Sequence, residues 1–400
     1  MTFRLFVPAS IKIYSQSKEM KMWLKNAMIF RGKEGFVHGS LRIAEDTIQE
    51  VTNDVPPDQG TDLEGKRVLP GLVDIHIHGS VGCDFSDGEA DGLNSIGRYL
   101  AANGITSFAP ASMTLPYEQL EKAFTTAKTY REQWNEDEGK ARLAGINMEG
   151  PWFSPARKGA QNPDFLRLPD YEAFSRLNER SGGLVRLVDV APELEGALDF
   201  IRRASKICRV SLAHTDAAYE EAVRAFECGA SHVTHLFNAM PPVHHRKPGV
   251  IGAACERKDI FAELICDGEH IHPSIVRMAF RLFPGRICLI SDALRCCGMR
   301  DGEYELGGQK VFLKDRVARL EDGTIAGAAS NLYEDMMNAI RFGIPMEDAI
   351  LSATLNPARQ IGMDQVIGSI EPGKKADLVV CDENWVRKEV LLGGKRVVKP

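Results

Sequence analysis

The sequence lacks three features that mark membrane, nucleic-acid-binding and secreted proteins. No apolar run approaches the roughly 18 residues that a membrane-spanning helix needs. The 49 Lys and Arg residues are outnumbered by 55 Asp and Glu residues, which gives a formal net charge of −6. A broad basic surface for nucleic acid or anionic lipid is therefore not expected. Residues 1–20 have no sustained apolar segment and no A-x-A cleavage site, so they do not resemble a signal peptide.

Cysteine spacing and glycine motifs argue against two further classes of protein. The nine cysteines follow no regular spacing, and the adjacent pair at 296–297 is not a CxxC motif. This pattern predicts reduced thiols in a cytoplasmic protein, with neither a disulfide framework nor a zinc ribbon. No GxGxxG motif follows a predicted strand, which argues against a dinucleotide-binding fold.

The two ends of the chain share a pattern that is typical of β-strands. In 22–69, and again in 361–400, apolar and polar residues alternate between turns rich in Gly, Asp and Asn. We therefore expect both ends to pair in one small, discontinuous β-sandwich domain. Residues 1–21 precede this pattern and are interpreted as an N-terminal extension, either disordered or lying before the true start. Met20 and Met22 stand where the folded pattern begins.

The region 70–360 alternates short β-branched runs with helical patterns. The starts of eight such runs lie about 23 to 42 residues apart, a spacing that matches βα units. One intervening segment, DAAYEEAVRAFECG, predicts a helix with Asp216 as its N-cap and Gly229 at its end. The sequence thus predicts an α/β protein with a (β/α)8 TIM-like barrel beside the small β-sandwich. The eight runs are VDIHIHG, ITSFAPASM, RLAGINMEG, LVRLVDVAPE, RVSLAHTDA, HVTHLFNAM, IFAELICDG and ICLISDAL.

Side chains that can bind a metal ion stand at the ends of five of these eight predicted strands. The carboxyl ends of barrel strands meet at one rim, where the active sites of such barrels lie. Imidazole and carboxylate ligands suit a divalent ion, zinc or iron first and manganese or cobalt second. The six candidates are His76 and His78 on strand 1, Glu149 on strand 3, His214 on strand 5, His235 on strand 6 and Asp292 on strand 8.

At this point the motifs match a known family. From about residue 22 to residue 400 the chain resembles the amidohydrolase superfamily, and within it the N-acetylglucosamine-6-phosphate deacetylase family. PGLVDIHIHG and GKKADLVV are shared broadly by amidohydrolases. EGPW, AHTDA, HLFNAM and DGEHIHP, in that order, are far more specific. VAPE, SDA, GTIAG and NPAR complete the resemblance.

The resemblance implies roles for these residues. Glu149, His214 and His235 match the ligands of a principal metal, and His76 and His78 match the ligands of a second, so one or two ions are expected. No Lys ends strand 4, which leaves Glu149 as the candidate bridging ligand. The other matches are Asp292 as the catalytic carboxylate, His270 as the group that polarises the amide carbonyl, Asn238, the Ala239 backbone and Arg246 around a sugar phosphate, and Ile325 and Ala326 in the GTIAG turn lining an acetyl pocket.

The activity implied by the resemblance is removal of the acetyl group from N-acetylglucosamine 6-phosphate. A metal-activated water would attack the amide, with Asp292 acting first as general base and then as general acid. A homodimer in the cytoplasm is implied as well. Two departures from the family pattern, Gln161 where many members have His and Ala328 where many have Ser, leave one contact of the substrate flap open.

Two other functions compete with this interpretation. One is a different amidohydrolase, such as a deaminase or a cyclic-amide hydrolase, against which Arg246 and the HLFNAM segment argue. The other is a non-catalytic scaffold on the same fold, against which the six retained ligand candidates argue. The remaining histidines receive structural interpretations. In particular, His232 begins the sixth predicted strand and is expected to lie away from the rim.

Overall fold

The computed structural model describes residues 21–56 and 60–397. Residues 1–20 of the predicted N-terminal extension lie outside the described residues. The strands are β1 (Lys21–Phe30), β2 (Phe36–Ala44), β3 (Thr47–Thr52), β4 (Gly60–Asp62), β5 (Arg67–Pro70), β6 (Leu72–Ile77), β7 (Gly79–Ser80), β8 (Cys83–Asp84), β9 (Ile105–Pro110), β10 (Arg142–Leu143), β11 (Ile146–Met148), β12 (Val185–Val190), β13 (Arg209–Leu212), β14 (His232–Val233), β15 (Phe261–Ile265), β16 (Ile287–Ile290), β17 (Gly302–Leu306), β18 (Gln309–Lys314), β19 (Val317–Leu320), β20 (Ile325–Ala328), β21 (Leu378–Cys381), β22 (Arg387–Leu392) and β23 (Lys395–Arg396).

Helices follow most of the barrel strands. Among the described residues, none of them is both long enough and apolar enough to cross a membrane. The helices are α1 (Ala90–Ala102), α2 (Tyr117–Gln133), α3 (Tyr171–Arg180), α4 (Ala197–Ala204), α5 (Tyr219–Glu227), α6 (Gly249–Cys255), α7 (Pro273–Leu282), α8 (Leu332–Arg341), α9 (Met346–Ala353) and α10 (Leu355–Gln360).

Strands from both ends of the chain form one eight-stranded sheet. Its order is β23-β22-β21-β5-β1-β2-β3, and β4 pairs with β1. The two ends meet where β21 lies antiparallel to β5, with Val380 opposite Val68. The sheet encloses a small apolar core that includes Leu24, Leu41 and Leu378. The predicted pairing of the chain ends is therefore present, while the domain boundaries given above stay a prediction.

The eight predicted barrel strands are all present, in the predicted order. β6, β9 and β10 form one parallel arc, and β11 to β16 form a second. The third predicted strand is divided into β10 and β11, and an isolated bridge between Ala111 and Asn147 links the two arcs. The backbone N–H of Asp292 donates to the carbonyl oxygen of His76 at 2.9 Å, which joins the last strand to the first. These features confirm the predicted α/β barrel fold.

Two local predictions were wrong. Helix α5 begins after Ala218 and not after Asp216, because Glu221 reaches back to accept the backbone N–H of Ala218 at 2.8 Å. The GTIAG segment is not a turn, since Ile325 lies in β20, the last strand of an antiparallel four-stranded sheet β17–β20. That sheet follows the eighth barrel strand in the sequence. Its short polar strands do not show the β-branched pattern of the barrel strands, so the sequence did not predict them.

A buried carboxyl group connects the first and the last strand beneath the rim. Asp74 is fully buried in β6, and burial raises its pKa to about 7. Its Oδ2 accepts a hydrogen bond from Ser291 Oγ at 2.6 Å, and its Oδ1 accepts from the backbone N–H of Ser291 at 3.3 Å. The chain reaches His76 and Asp292 immediately after these contacts, so Asp74 fixes the spacing of two candidate ligands.

We expect Ser291→Ala to lower the free energy of unfolding by about 1–3 kcal/mol, because it leaves a buried oxygen of Asp74 without its donor. The matched control is Ser107→Ala, since Ser107 is equally buried in β9 but its Oγ has no hydrogen-bond partner among the described residues. Urea denaturation of both variants measures the difference. Equal losses in the two variants would contradict the role given to Asp74.

Candidate active site

A cavity of about 290 Å³ opens at the carboxyl ends of the barrel strands. It brings together most of the site residues predicted from the sequence. His76 lies beneath the lining, fully buried, and Arg246 lies outside it on the exposed loop 242–247. The predicted residues that line the cavity are His78, Glu149, His214, His235, Asn238, Ala239, His270, Asp292, Ile325 and Ala326.

Three of the candidate ligands adopt a left-handed backbone conformation just beyond their strands. The φ angles are 43° at His214, 27° at His235 and 50° at Asp292. Such conformations cost non-glycine residues about 1–3 kcal/mol each, and they persist where the surrounding structure holds them. Here they end each strand abruptly, so that the side chains converge at the rim.

The first ligand group surrounds one oxygen of Glu149. Glu149 Oε1 lies 3.0 Å from His214 Nε2 and 3.3 Å from His235 Nε2, and the two Nε2 atoms are 3.2 Å apart. His214 Nδ1 donates to the carbonyl oxygen of Arg157 at 2.9 Å. All three ligand side chains are buried. This is the group that the resemblance assigned to the principal metal.

The second ligand group surrounds the other oxygen of the same carboxylate. Glu149 Oε2 lies 3.2 Å from His78 Nε2 and 3.4 Å from His76 Nε2. Asp292 Oδ1 lies 3.2 Å from His78 Nε2 and 3.7 Å from His76 Nε2. Glu149 therefore stands between the two groups, in the position of a bridging ligand.

The ligand atoms of both groups are arranged so that they could bind a cation. A carbonyl oxygen only accepts, so His214 Nδ1 carries a proton toward Arg157, and Nε2 is the nitrogen that faces Glu149 Oε1. A positive charge, supplied by a proton or by a metal ion, stabilises these two atoms at 3.0 Å. In the second group, the buried atoms His76 Nε2 and Glu149 Oε2 have no hydrogen-bond partner within the described part of the chain. Imidazole nitrogens and carboxylate oxygens in this arrangement suit a divalent metal.

The electrostatics of the site keep its carboxylates ionised. Burial raises the pKa of Glu149, but His76 and His214 outweigh it and hold that pKa well below the usual range. Burial also opposes ionisation of Asp292, yet the hydrogen bond from His78 leaves the pKa of Asp292 lowered. Burial lowers the pKa of His78, and the carboxylates of Asp292 and Glu149 then raise it to about 10. The site therefore attracts positive charge.

His270 reaches the cavity from the loop after β15. Its Nδ1 donates to Asp267 Oδ2 at 2.7 Å, and its side chain is only 6% exposed. Burial lowers the pKa of His270, but Asp267 outweighs burial and leaves that pKa raised. Because Asp267 holds Nδ1, Nε2 is the nitrogen left to donate to a ligand in the cavity. His270 thus lines the cavity, and the role that the resemblance implied for it stays a prediction.

The residues expected around a sugar phosphate lie in two places. Ala239 adopts a left-handed conformation, with φ of 50°, and lines the cavity beside Asn238. Asn238 Nδ2 donates to the carbonyl oxygen of His235 at 3.1 Å, which ties this loop to a candidate ligand. Arg246 contacts His245 and is exposed to solvent. Its role at the phosphate stays a prediction.

Part of the cavity wall escaped the sequence analysis. Gln161 Oε1 accepts from the backbone N–H of Thr114 at 2.8 Å, and Gln309 Nε2 from β18 donates to the carbonyl oxygen of Ala160 at 2.6 Å. The inserted sheet thus contacts a segment of the cavity wall. Gln161 had a signal in the sequence as a departure from the family pattern, and Thr324 and Gly327 belong to the GTIAG motif. The lining residues that the sequence analysis did not assign to the site are Met113, Gly159, Ala160, Gln161, Thr324 and Gly327.

Comparisons with known proteins identify relatives over most of the chain. The amidohydrolase family model matches residues 67–397. N-acetylglucosamine-6-phosphate deacetylase of Bacillus subtilis is 35% identical over 369 residues, which are 90% of this chain and 93% of that protein. N-acetylgalactosamine-6-phosphate deacetylase of Escherichia coli O157:H7 is 33% identical over 357 residues, with 89% and 93% covered.

A solved structure is similar over nearly the whole chain. It is a variant of N-acetyl-D-glucosamine-6-phosphate deacetylase from Mycobacterium smegmatis in complex with N-acetyl-D-glucosamine-6-phosphate. Its TM-score is 0.88 at 32% identity, and 94% of this chain and 99% of that chain are covered. Since the family model spans most of the sequence and several relatives exceed 30% identity over most of its length, the chain belongs to the amidohydrolase family.

Proposed function

We propose that this chain hydrolyses the acetamide of N-acetylglucosamine 6-phosphate to glucosamine 6-phosphate and acetate. The observation that carries the proposal is a cavity in which Glu149 joins two ligand groups while Asp292 and His270 face the same space. Deacetylases of the 6-phosphates of two epimeric sugars are similar to this chain at nearly equal identity. N-acetylgalactosamine 6-phosphate is therefore the second candidate substrate, ahead of the deaminase, cyclic-amide hydrolase and scaffold alternatives.

The six predicted ligands would hold one or two divalent ions. Zinc or iron is the first choice, and manganese or cobalt the second, because the donors are imidazole and carboxylate without thiolate. A bound ion of this kind supplies Lewis acidity and lowers the pKa of water from about 16 toward 7. Glu149, His214 and His235 form the principal group, and His76 and His78, with Asp292 beside them, form the second.

The protein's own side chains would handle the proton and the developing charge. Asp292, ionised at neutral pH, takes a proton from the attacking water and passes it to the nitrogen of the breaking C–N bond. The leaving group is then the amine of the sugar, and the acetyl carbon keeps the water oxygen as acetic acid, which becomes acetate when its proton passes to the amine or to solvent. His270 donates from Nε2 to the carbonyl oxygen as negative charge builds there.

Substrate selection would fall to other residues in and beside the cavity wall. Ile325 and Ala326 line the cavity and would offer an apolar surface to the acetyl methyl group. Asn238, the Ala239 backbone and Arg246 would hold the phosphate, since a planar guanidinium matches phosphate oxygens. In a protein of net charge −6, such local groups must act without a general positive field.

The compartment and the assembly are part of the proposal. All nine cysteines are free, with Sγ atoms in no disulfide, as expected for a cytoplasmic enzyme. The family resemblance predicts a homodimer. Light scattering on the purified chain measures its oligomeric state.

An acetate-release assay tests the proposed activity directly. We expect hydrolysis of N-acetylglucosamine 6-phosphate, slower hydrolysis of the galactosamine epimer and little hydrolysis of unphosphorylated N-acetylglucosamine. Chelation should abolish acetate release, and added Zn²⁺, Fe²⁺, Mn²⁺ or Co²⁺ should restore it. Activity that is insensitive to chelators, or indifferent to the phosphate, would refute the proposal, while a preference for the epimer would favour the second candidate.

Replacing the proposed general base should remove most turnover. We expect Asp292→Asn to lower kcat by about 10²–10⁴-fold in excess metal, because general acid–base catalysis contributes that much. The matched control is Asp335→Asn, since Asp335 is a buried carboxyl in α8 outside the cavity. Its kcat should stay within about twofold. Normal turnover of Asp292→Asn would exclude it as the base.

The role of Arg246 can be separated from the surrounding loop charge. A hydrogen bond to a charged group contributes about 1.5–3 kcal/mol, so Arg246→Ala should lower kcat/KM for the phosphorylated sugar by about 10–100-fold. The residual activity on the unphosphorylated sugar should not change. Lys247→Ala, the neighbouring exposed cation, serves as the control and should have less than a threefold effect. Equal losses on both sugars would show that Arg246 does not act through the phosphate.

A further inference from the structure

A histidine with no assigned role lies beneath the metal site. His232 begins β14, is fully buried and does not line the cavity, as expected from the sequence. Its two ring nitrogens nevertheless face acceptors inside the barrel. Nε2 lies 3.3 Å from Glu263 Oε1, and Nδ1 lies 3.3 Å from Gln360 Oε1. The partner of His232 Nε2 is therefore Glu263, a residue to which the sequence assigned no role.

Glu263 receives three hydrogen bonds in the interior of the barrel. It lies in β15 with no exposed surface. Its Oε2 accepts from His76 Nδ1 at 2.9 Å and from the backbone N–H of His235 at 3.2 Å. Its Oε1 accepts from His232. These three contacts hold the carboxylate between the ring of His76 and the backbone of His235.

The contact with His76 fixes which nitrogen of that ring can bind a metal. Because Glu263 Oε2 also accepts from the backbone N–H of His235, the Nδ1 of His76 is the donor in this contact, and Nε2 is the ring nitrogen left to bind a metal. The amide Nδ2 of Asn147 also lies 3.3 Å from His76 Nδ1, but it has the Ile75 carbonyl oxygen as an acceptor at the same distance. The Glu263 contact is the shorter one, at 2.9 Å, and it leaves Nε2 facing the second ligand group.

We propose that Glu263 is a positioning residue for the metal centre, which acts through His76 by holding the ring in the orientation that presents Nε2. The backbone N–H of His235 and the imidazole of His232 fix the carboxylate in turn. The inference rests on the metal centre of the proposed function and is independent of the identity of the sugar. A carboxylate behind a metal-binding imidazole typically contributes about 10–100-fold to metal affinity or activity.

The chain offers a matched control for a buried carboxyl group. Asp189 lies in β12, another strand of the same arc, and is also fully buried. Burial raises its pKa well above the usual range. Neither of its oxygens has a hydrogen-bond partner among the described residues. Asp189→Asn therefore also replaces a buried carboxyl group with an amide, but it removes no hydrogen bond to a histidine.

The experiment is a Co²⁺ titration of the full chain after removal of metal. Glu263→Gln should weaken Co²⁺ binding by about 10–100-fold and change the visible spectrum of the bound ion. Asp189→Asn should change the Kd by less than threefold and leave the spectrum intact. With saturating Co²⁺, acetate release by Glu263→Gln should recover most of the wild-type kcat. The titration keeps its meaning even if the substrate proposal fails.

A double-mutant cycle tests whether the effect passes through His76. In a His76→Ala background, Glu263→Gln should weaken Co²⁺ binding by less than threefold, because the ring that it positions is absent. If Glu263→Gln does not fold, Glu263→Asp replaces it, and the retreat of its carboxylate from Nδ1 should weaken binding in the same direction. The proposal is wrong if the Kd of the Glu263 variant is unchanged, if Asp189→Asn loses as much, or if the full loss persists without His76.

Discussion

The carboxylate of Glu149 is the constraint on which the site depends. Its two oxygens face four imidazoles, His214 and His235 on one side and His76 and His78 on the other, at distances of 3.0 to 3.4 Å. A buried carboxylate surrounded by imidazoles is stabilised by positive charge, carried by a proton or by a metal ion. The converging ends of the barrel strands bring these groups together. The barrel and the left-handed residues His214, His235 and Asp292 keep the two ligand groups in place.

Two buried carboxyl groups, Asp74 and Glu263, contact the strands that carry the candidate ligands. Their surroundings shift their pKa values in opposite directions. Asp74 is held by hydroxyl and amide donors alone, and burial raises its pKa to about 7. Glu263 faces two imidazoles, which lower its pKa to about 2 although it is equally buried. The first group therefore acts as a structural tie between strands, and the second supplies negative charge directly behind a candidate ligand.

The sequence predicted the features that depend on local pattern. Eight β-branched runs predicted the barrel, and the polar residue at the end of a run predicted a ligand such as His214 or Asp292. It did not reveal the β17–β20 sheet, whose short polar strands fall outside the barrel pattern. It also missed Glu263, because a lone carboxylate inside an apolar strand gives no sign of its partners. Arg246 was named from family resemblance, and the structure leaves it exposed and outside the cavity lining.

The sequence by itself determined which residues are candidate ligands and on which strand each one lies. Both follow from local pattern, because side chains alternate along a strand and each ligand stands at a strand's carboxyl end. Only the tertiary structure decided which atoms meet. Glu149 lies between the two ligand groups, and Glu263 lies behind His76, because residues 187 positions apart in the chain become neighbours when the barrel closes. Hydrogen bonds of about 3 Å depend on that closure, and no spacing in the sequence encodes it.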